Sequence, residues 1–346
     1  MAKAQAAVAK QPTPANYLAL GNAYIDQKAY NDAYVALKKA AELAPKDAEI
    51  AYKLSEANLY LADADNGIKM AQAAIAINPK QAKYYDLLAR HLLLKGKPAE
   101  AIPELQKALD LDPRDPSPRL NMVSAHLLNG DKKMALDAAR DAVGVAPDNA
   151  PAHTVYGELL DQAGRRKEAA DQLRTAVRLD DKDARPFLVL STLLIADPNS
   201  LEEARTVAKK AAELDPGDGT AATVAALALY RMGKPTEGLR EMDTAVRANP
   251  RNFRIWLLMA RLLREQGQTD MAKVALQNAY RTAPRVPLTP EQRQKVREEA
   301  SKAGKTKDGR PVAIDVGKVL GDMPQGNAGT GGPSEAANST TAGGTP

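Results

Sequence analysis

The residue types that most often do chemistry in proteins are sparse in this sequence. There is no cysteine among its 346 residues, which excludes disulfides, thiol nucleophiles and thiolate metal sites. The three histidines are His91, His126 and His153, and no two of them have the His-x-x-x-His spacing that places two imidazoles on one face of a helix. We therefore expect these histidines to pack inside the protein, and we predict no metal site.

Other catalytic signatures are also missing. The sequence has neither a Gly-x-x-x-x-Gly-Lys-Ser/Thr phosphate loop nor a Gly-x-Ser-x-Gly nucleophile turn. Its paired carboxylates, Glu202-Glu203 and Glu298-Glu299, are adjacent in the chain, so on a helix the two side chains of each pair point in different directions. We predict that the chain is not an enzyme and requires no cofactor.

The net charge of +5 arises mainly in one region. Residues 285–311 hold eight Lys or Arg against four Asp or Glu, with no aromatic residue among them. Segments that bind single-stranded nucleic acid combine basic residues with aromatic side chains, whereas a basic helix without them is typical of a solvated cap. We predict no nucleic-acid partner.

The positions of the apolar residues give the sequence its organisation. Residues 82–115 contain two amphipathic helices with i, i+3, i+4, i+7 spacing, separated by Gly96 and ended by Pro113. The apolar positions are Tyr85, Leu88, Ala89 and Leu92 in the first helix and Ala101, Leu105, Ala108 and Leu109 in the second. We expect the helices to cross at Ala89 and Ala101, because methyl side chains let helix axes approach closely. The unit is therefore a helical hairpin.

This hairpin recurs along the chain. Its closing position, a proline in seven of eight cases, returns at intervals of 34 or 35 residues. The closing residues are Pro45, Pro79, Pro113, Pro147, Asp181, Pro216, Pro250 and Pro284. An alanine precedes each of them by five residues, from Ala40 to Ala279. Eight matches in phase predict an array of tandem repeats.

The pattern resembles the tetratricopeptide repeat, which has an aromatic residue, a Leu-Gly or Leu-Ala pair, alanines and a closing proline over about 34 residues. The resemblance implies an all-α fold, a right-handed superhelical solenoid of helix-turn-helix repeats. The eight repeats are residues 14–47, 48–81, 82–115, 116–149, 150–183, 184–218, 219–252 and 253–286. Gly67 lies inside a helix of the second repeat, and since glycine costs about 1 kcal/mol relative to alanine in a helix, we expect that repeat to be soft.

The ends of the chain differ from the array. Residues 1–13 are interpreted as a partial repeat or N-terminal helix, 287–304 as a C-terminal capping helix and 305–346 as a largely disordered tail. No run of 18 apolar residues occurs and the N-terminus lacks the apolar core of a signal peptide, so we expect a cytoplasmic protein that does not insert into membranes. If an N-terminal signal or anchor has been removed, a periplasmic or membrane-associated location is the alternative.

In proteins with this pattern, the first helices of the repeats line a concave groove that binds a segment of another protein. The resemblance assigns this role to Asn22, Lys53, Lys83, Arg90, Asn121, Arg185, Leu188, Val189, Val224, Leu227, Arg254, Leu257, Leu258 and Arg261. Chaperone-binding members hold terminal carboxylates with basic and amide side chains in three consecutive repeats. Here Leu18 and Leu87 replace two basic residues, so that carboxylate clamp is incomplete.

The C-terminal part of this predicted groove is apolar with a basic rim. Such a surface suits a protein or peptide segment that is amphipathic with acidic flanks. The alternative is that some of its leucines pack between neighbouring first helices. We predict a non-enzymatic scaffold for protein–protein interaction. A regulatory or targeting module of a larger enzyme or of a secretion or envelope assembly, and a self-assembling scaffold, are the other hypotheses.

Overall fold

A computed structural model of the chain describes residues 1–217 and 219–282. Within these residues there are seventeen α-helices and no strand. The helices are α1 Ala2–Lys10, α2 Pro14–Asp26, α3 Tyr30–Leu43, α4 Ala48–Tyr60, α5 Ala64–Ile77, α6 Ala82–Leu94, α7 Pro98–Leu111, α8 Ser117–Leu128, α9 Lys132–Val145, α10 Ala150–Gln162, α11 Arg166–Leu179, α12 Ala184–Leu194, α13 Leu201–Leu214, α14 Thr220–Arg231, α15 Pro235–Ala248, α16 Phe253–Glu265 and α17 Thr269–Thr282. The capping helix predicted for 287–304 and the tail predicted for 305–346 lie outside the described residues.

From α2 onward the helices form hairpins, which we number as repeats 1 to 8. The even-numbered helices α2 to α16 are the first helices of the repeats, and the odd-numbered helices α3 to α17 are the second helices. Each first helix contacts its own second helix, and each second helix contacts the first helix of the next repeat. This arrangement of the described residues is an all-α solenoid, as the sequence predicts.

Small side chains allow the hairpins to pack tightly. Ala89 of α6 and Ala101 of α7 are both fully buried in one apolar cluster, together with Leu105. Because a methyl group fills little volume, the two helices of repeat 3 approach closely where these alanines meet. The same alanine-rich contact recurs in the other hairpins, for example at Ala33 of repeat 1 and Ala169 of repeat 5.

The turn inside most hairpins contains a glycine with a positive φ. Gly96 has φ +69° and Gly164 has φ +77°, values that a residue without a Cβ atom adopts at little cost. Repeats 1 and 2 place Lys28 and Ala62 in this position, with φ +58° and +56°. These two turns therefore carry backbone strain that the glycine-containing turns avoid.

Repeat 6 accommodates one additional residue in its turn. Its first helix, α12, ends at Leu194, and a short 3-10 helix, Pro198–Ser200, follows before α13 begins. The Asp197 carboxylate accepts a hydrogen bond from the Asn199 amide at 3.0 Å and so caps the 3-10 helix. The extra residue is absorbed locally, and α13 still packs against α12 and α14.

No helix in residues 1–217 and 219–282 combines the length and the apolar character that are needed to cross a lipid bilayer.

Candidate partner-binding face

The fourteen residues assigned to the groove all lie on first helices. They are distributed over α2, α4, α6, α8, α12, α14 and α16. The candidate partner-binding surface is therefore the side of the array that the first helices form. Its two halves differ in chemistry. Repeats 1 to 4 present charged, amide and tyrosine side chains, whereas repeats 6 to 8 present aliphatic side chains with arginines.

Both predicted lysines in the first half are already paired with carboxylates. Lys53 Nζ lies 2.7 Å from Glu56 Oε2 on the same helix. Lys83 Nζ lies 2.6 Å from Glu49 Oε2, which joins the first helices of repeats 2 and 3. These ammonium groups therefore face carboxylates of their own chain, and a ligand carboxylate would compete with those contacts.

Two tyrosine rings lie beside these ion pairs. The centroids of the Tyr52 and Tyr84 rings are 5.3 Å apart, and Lys83 Nζ lies 4.6 Å from the centroid of Tyr52. Burial raises the pKa of the Tyr52 hydroxyl to about 12, and the nearby Glu56 and Glu49 carboxylates act in the same direction. Tyr52 is therefore a neutral aromatic surface under all ordinary conditions.

An amide–carboxylate contact joins repeats 3 and 4. Asn121 Nδ2 donates to Asp86 Oδ1 at 2.7 Å. Burial raises the pKa of the Asp86 carboxyl, and the hydrogen bond from Asn121 and the charge of Arg90 partly oppose that rise. Asn121 therefore donates its hydrogen bond to a half-buried carboxyl group of the preceding repeat.

Two of the residues assigned to the groove in this half have a polar group without a hydrogen-bond or ion-pair partner among residues 1–217 and 219–282. Arg90 is half-buried on α6 and makes no hydrogen bond or ion pair within that part of the chain. The Oδ1 atom of Asn22 is buried and also lacks a hydrogen-bond partner there. Among the cations assigned to the groove in this half, Arg90 is therefore the one without an ion pair in the described residues, and its charge acts on the Asp86 carboxyl one turn earlier in α6.

Two of the three predicted arginines in the second half also form ion pairs with carboxylates of the chain. The Arg185 guanidinium donates two hydrogen bonds to the Glu158 carboxylate, at 2.7 and 2.6 Å, linking α12 to α10. Arg261 Nε lies 2.8 Å from Glu265 Oε1. Arg254 has no carboxylate within ion-pair distance in the described residues, and its guanidinium lies 5.7 Å from the centroid of the Phe253 ring.

The aliphatic residues of this half differ in exposure. Val224 is buried in a cluster with Ala208 and Ala225. Half-buried residues that pack against apolar clusters are Leu188, Val189 and Leu258. Leu227 is half-buried, and Leu257 is 43% exposed. Leu257 is therefore the member of the strip that a ligand could contact without displacing core side chains.

The three histidines lie in the interior. His91, His126 and His153 are all buried, on α6, α8 and α10 respectively. His153 has a partner for each ring nitrogen, with Nδ1 2.7 Å from Gln172 Oε1 and Nε2 2.9 Å from Pro147 O. In residues 1–217 and 219–282, no three His, Asp or Glu side chains lie close enough together to hold a metal ion.

The structure also shows an apolar row that the sequence reasoning missed. Tyr60, Leu94 and Leu128 are the last residues of α4, α6 and α8, and they are 41%, 48% and 55% exposed. The ring of Tyr30 stacks on that of Tyr60, with centroids 4.4 Å apart. We call these four residues the helix-end row. The signal was present in the sequence as large apolar residues at a spacing of 34. The groove residues assigned from the sequence end four to seven residues before them on these three helices.

Comparison with known proteins agrees with the fold. Family models described as tetratricopeptide repeat match residues 14–47, 52–116, 120–184 and 223–287. The BBSome complex member BBS4 of Xenopus tropicalis is 32% identical over 117 residues, which are 34% of this chain and 23% of that protein. The chain thus matches about a quarter of the length of this curated relative.

Two solved structures match parts of the chain, and the first of them supports the fold. The APC/C hetero-tetramer Cut9-Hcn1 matches with a TM-score of 0.51 and 12% identity, over 75% of this chain and 51% of that chain. The pilF protein of Pseudomonas aeruginosa matches with a TM-score of 0.49 and 22% identity, over 63% of this chain and 97% of that chain. With its 34-residue pattern, its tandem hairpins and the family models that cover most of the array, the chain belongs to the tetratricopeptide repeat family.

Proposed function

We propose that this protein is a non-enzymatic scaffold whose repeats 7 and 8 bind an acidic, amphipathic segment of another protein. The fold is that of a protein–protein interaction scaffold. The observation that carries the specific proposal is the side chain of Leu257, which is 43% exposed on α16 between two arginines. A large exposed aliphatic group with cations beside it favours a ligand that offers both apolar and acidic side chains.

The spacing on α16 places these groups on one helical face. Arg254, Leu257, Leu258 and Arg261 follow the i, i+3, i+4, i+7 pattern. Arg254 has no carboxylate partner in the described part of the chain, so its guanidinium is available for a bidentate hydrogen bond to a ligand carboxylate. Leu258 packs inward, which leaves Leu257 to contact the ligand.

The two first helices at this site are held together by polar and apolar contacts. The Tyr230 hydroxyl of α14 donates a hydrogen bond to the Glu265 carboxylate of α16, and Glu265 also accepts from Arg261. Ala226 of α14 and Leu262 of α16 belong to one buried cluster. These contacts fix the surface before a ligand arrives, which reduces the entropy lost on binding.

The test is affinity capture from a lysate of the source cell, followed by mass spectrometry. The wild-type chain is compared with Leu257→Glu and with the matched control Leu179→Glu. Leu179 is 40% exposed at the end of α11, so both variants place one new carboxylate on an exposed leucine position. Far-ultraviolet circular dichroism verifies that both variants keep their helical content.

We expect partners of repeats 7 and 8 to be captured by the wild type and by Leu179→Glu, and to be lost from Leu257→Glu. The same partners should bind less to Arg254→Gln, because the available cation has been removed. If all partners are retained by Leu257→Glu, the binding surface lies elsewhere on the array. Light scattering tests whether the occupant is instead a second copy of the chain. In that case the molar mass of the wild type would rise with concentration, and Leu257→Glu would have the molar mass of a monomer.

A further inference from the structure

Positive charge predominates in repeats 7 and 8. Residues 219–282 contain ten Lys or Arg and five Asp or Glu, whereas residues 1–218 contain 29 and 31. Four of the five acidic residues form ion pairs, which leaves Glu237 without one among residues 1–217 and 219–282. The basic residues of repeats 7 and 8 without an ion pair there are Arg231, Lys234, Arg240, Arg251, Arg254, Arg264 and Arg281. This excess of unneutralised cations favours an acidic ligand.

The first helices of the two repeats have one acidic residue between them. This residue is Glu265, at the end of α16. Its carboxylate accepts hydrogen bonds from the Tyr230 hydroxyl and from Arg261, and these donors lower the pKa of the Glu265 carboxyl. Glu265 therefore stays charged at neutral pH and neutralises Arg261.

Arg264 is an exposed cation of α16 that the groove residues predicted from the sequence do not include. It has no ion pair in the part of the chain that the structure describes, although its charge acts on the neighbouring Glu265 carboxyl. It follows Arg254 by ten residues, which corresponds to a rise of about 15 Å along the helix. At about 100° per residue, Arg254, Leu257, Arg261 and Arg264 lie within about 80° of the helix circumference. The arginines therefore follow one face over most of the length of α16.

Leu257 differs from the other large apolar residues that are exposed in the described chain. Those on the other first helices, such as Leu94, are the last residues of their helices, and similar residues such as Leu111 end second helices. Leu257 instead lies within a first helix, between Arg254 and Arg264, and is 43% exposed. The surface thus combines one exposed leucine with an arginine without an ion pair on each side of it.

A single exposed leucine favours an extended ligand over a helical one. A helix that binds in a groove contacts it through several apolar side chains, at i, i+3, i+4 and i+7. On α16 the neighbouring Leu258 packs inward, so it offers a ligand helix no second exposed contact. In an extended segment, alternate side chains point to the same side and each residue rises about 3.3 Å. Side chains at i, i+2 and i+4 therefore span about 13 Å, close to the separation of Arg254 and Arg264 along α16.

We propose that Arg254 and Arg264 both bind the ligand of repeats 7 and 8, and that this ligand is an extended protein segment of the form acidic-x-apolar-x-acidic. Its apolar side chain contacts Leu257, and each of its carboxylates accepts hydrogen bonds from one of the two arginines. This inference rests on the proposed function, because it concerns the same surface of α16. It adds Arg264 to that surface and defines the spacing of acidic residues that a partner must have.

The test uses the full-length chain and fluorescein-labelled peptides at low ionic strength, where charges are screened least. The probe contains Glu-Ser-Leu-Ser-Glu between short Gly-Ser flanks. An isomer with the core Glu-Ser-Glu-Ser-Leu places both acidic residues on the same side of the leucine. Two further peptides replace either the first or the second glutamate of the probe with glutamine. Fluorescence anisotropy measures the dissociation constant of each peptide.

The main variant is Arg264→Gln, and its matched control is Arg240→Gln. Both remove one exposed arginine that has no ion pair in the described residues, but Arg240 lies on α15, a second helix. We expect Arg264→Gln to weaken binding of the probe about fivefold and Arg240→Gln to weaken it less than about twofold. The isomer should bind the wild type at least about threefold more weakly than the probe.

The two glutamine peptides identify the carboxylate that each arginine contacts. One of them should bind the wild type and Arg264→Gln equally, because it lacks the carboxylate that Arg264 binds. The other should bind the wild type and Arg254→Gln equally. If Arg264→Gln weakens the binding of both glutamine peptides by the same factor, Arg264 contacts neither carboxylate and the inference is wrong.

The variant Leu257→Glu separates this inference from the proposed function. Loss of probe binding in Leu257→Glu and Arg254→Gln, but not in Arg264→Gln, would overturn the inference and leave the proposed function intact. Probe binding that Leu257→Glu does not change would contradict both. Capture of lysate partners that depends on Leu257, together with failure of the probe to bind the wild type, would again overturn the inference alone.

Three other results would also overturn the inference. Equal binding of the probe and the isomer would show that the spacing of the acidic residues is unimportant. Equal losses in Arg264→Gln and Arg240→Gln would show a general effect of charge. A dimer in sedimentation velocity that Arg264→Gln converts to monomer would show that a second copy of the chain occupies this surface.

Discussion

The imidazole of His91 occupies the space that a Cβ atom on residue 67 would need. An ideal Cβ placed on Gly67 would lie 1.9 Å from His91 Cε1 and 2.3 Å from Nε2. His91 lies on the first helix of repeat 3, and Gly67 lies on the second helix of repeat 2. The glycine that the sequence marks as a weak point in a helix is therefore the contact point between two repeats.

The hydrogen bonds around this contact determine which ring nitrogen of His91 carries the proton. Ser55 Oγ donates to Gly67 O at 2.8 Å, and because a hydroxyl has one proton, it accepts at 3.0 Å from His91 Nε2. His91 Nε2 also lies 3.1 Å from Ser55 O. The ring proton is therefore on Nε2. The Nδ1 atom is buried and has no partner among the described residues.

Replacing Gly67 with alanine should destabilise the protein despite the higher helix propensity of alanine. We expect a loss of about 1–3 kcal/mol in the free energy of unfolding, since the added methyl group overlaps a buried ring. Urea unfolding followed by circular dichroism measures this loss. The matched control is Gly144→Ala in α9, where the added Cβ would meet no atom within 4 Å, and it should stabilise by about 0.5–1 kcal/mol. A Gly67→Ala variant as stable as Gly144→Ala would contradict the proposed overlap.

Stability should fall as the pH falls through the range in which free histidine titrates. Burial lowers the pKa of His91 below its ordinary value of 6.5, and the charge of Arg90 acts in the same direction, while the hydrogen bond to Ser55 and the charge of Asp63 oppose it. Because the pKa of His91 is lower in the folded state, the unfolded chain binds more protons in this range. The contribution of His91 is therefore complete above about pH 6.5 and is lost as the pH falls towards the folded-state pKa.

The measurement is the free energy of unfolding at several values between about pH 7.5 and 5.5. Its slope against pH should be smaller in His91→Asn than in the wild type. Gly144→Ala, which leaves His91 unchanged, should keep the wild-type slope. Equal slopes in all three proteins would show that His91 is not the group responsible.

Introducing glycine in the turn of repeat 2 should stabilise the protein. Ala62 has φ +56°, in the position where repeat 3 has Gly96 with φ +69°. Ala62→Gly removes the clash of a Cβ atom in the left-handed region, and the larger conformational entropy of the unfolded glycine offsets part of that gain. We expect a net stabilisation of about 0.5–1 kcal/mol in urea unfolding. Ala76→Gly, at an exposed position within α5, should instead destabilise by about 1 kcal/mol.

The fold could be predicted from the sequence because its determinants are local and repeated. Alanines, turn glycines and closing prolines return every 34 or 35 residues, and each unit mainly contacts its neighbours. The sequence predicts that Gly67 softens repeat 2, because glycine has a low helix propensity. The contact with His91 cannot be foreseen in this way, since His91 is 24 residues away and belongs to another repeat. Helix propensity describes only the chain on either side of the glycine.

The candidate site was less predictable because helical spacing gives the direction of a side chain and not its partner. Lys83 and Arg185 were placed on first helices by spacing, but their ion pairs with Glu49 and Glu158 depend on flexible side chains of the preceding repeat. Val224 shares a face with solvent-accessible positions in a helical projection. It is buried because Ala208 of the preceding second helix packs against it.

The hydrogen bond between Asn121 and Asp86 should stabilise the protein most when Asp86 is charged. Asn121→Ala leaves a half-buried carboxylate without its donor, which should cost about 1–3 kcal/mol at about pH 7. The pKa of Asp86 is already raised by burial, and loss of the donor should raise it further. The folded variant then binds a proton more readily than the unfolded chain, so its deficit relative to the wild type should shrink as the pH falls towards about 4.

Urea unfolding at about pH 7 and pH 4 tests this prediction. In an Asp86→Asn background no charge is left unpaired, so Asn121→Ala should cost less there than in the wild type. The control is Asn129→Ala, which removes a hydrogen bond of the same length, 2.7 Å, to the exposed Asp131. That variant should lose less than about 0.5 kcal/mol, because water replaces the lost donor. If Asn121→Ala and Asn129→Ala cost the same at both pH values, the burial of Asp86 does not determine the strength of the contact between repeats 3 and 4.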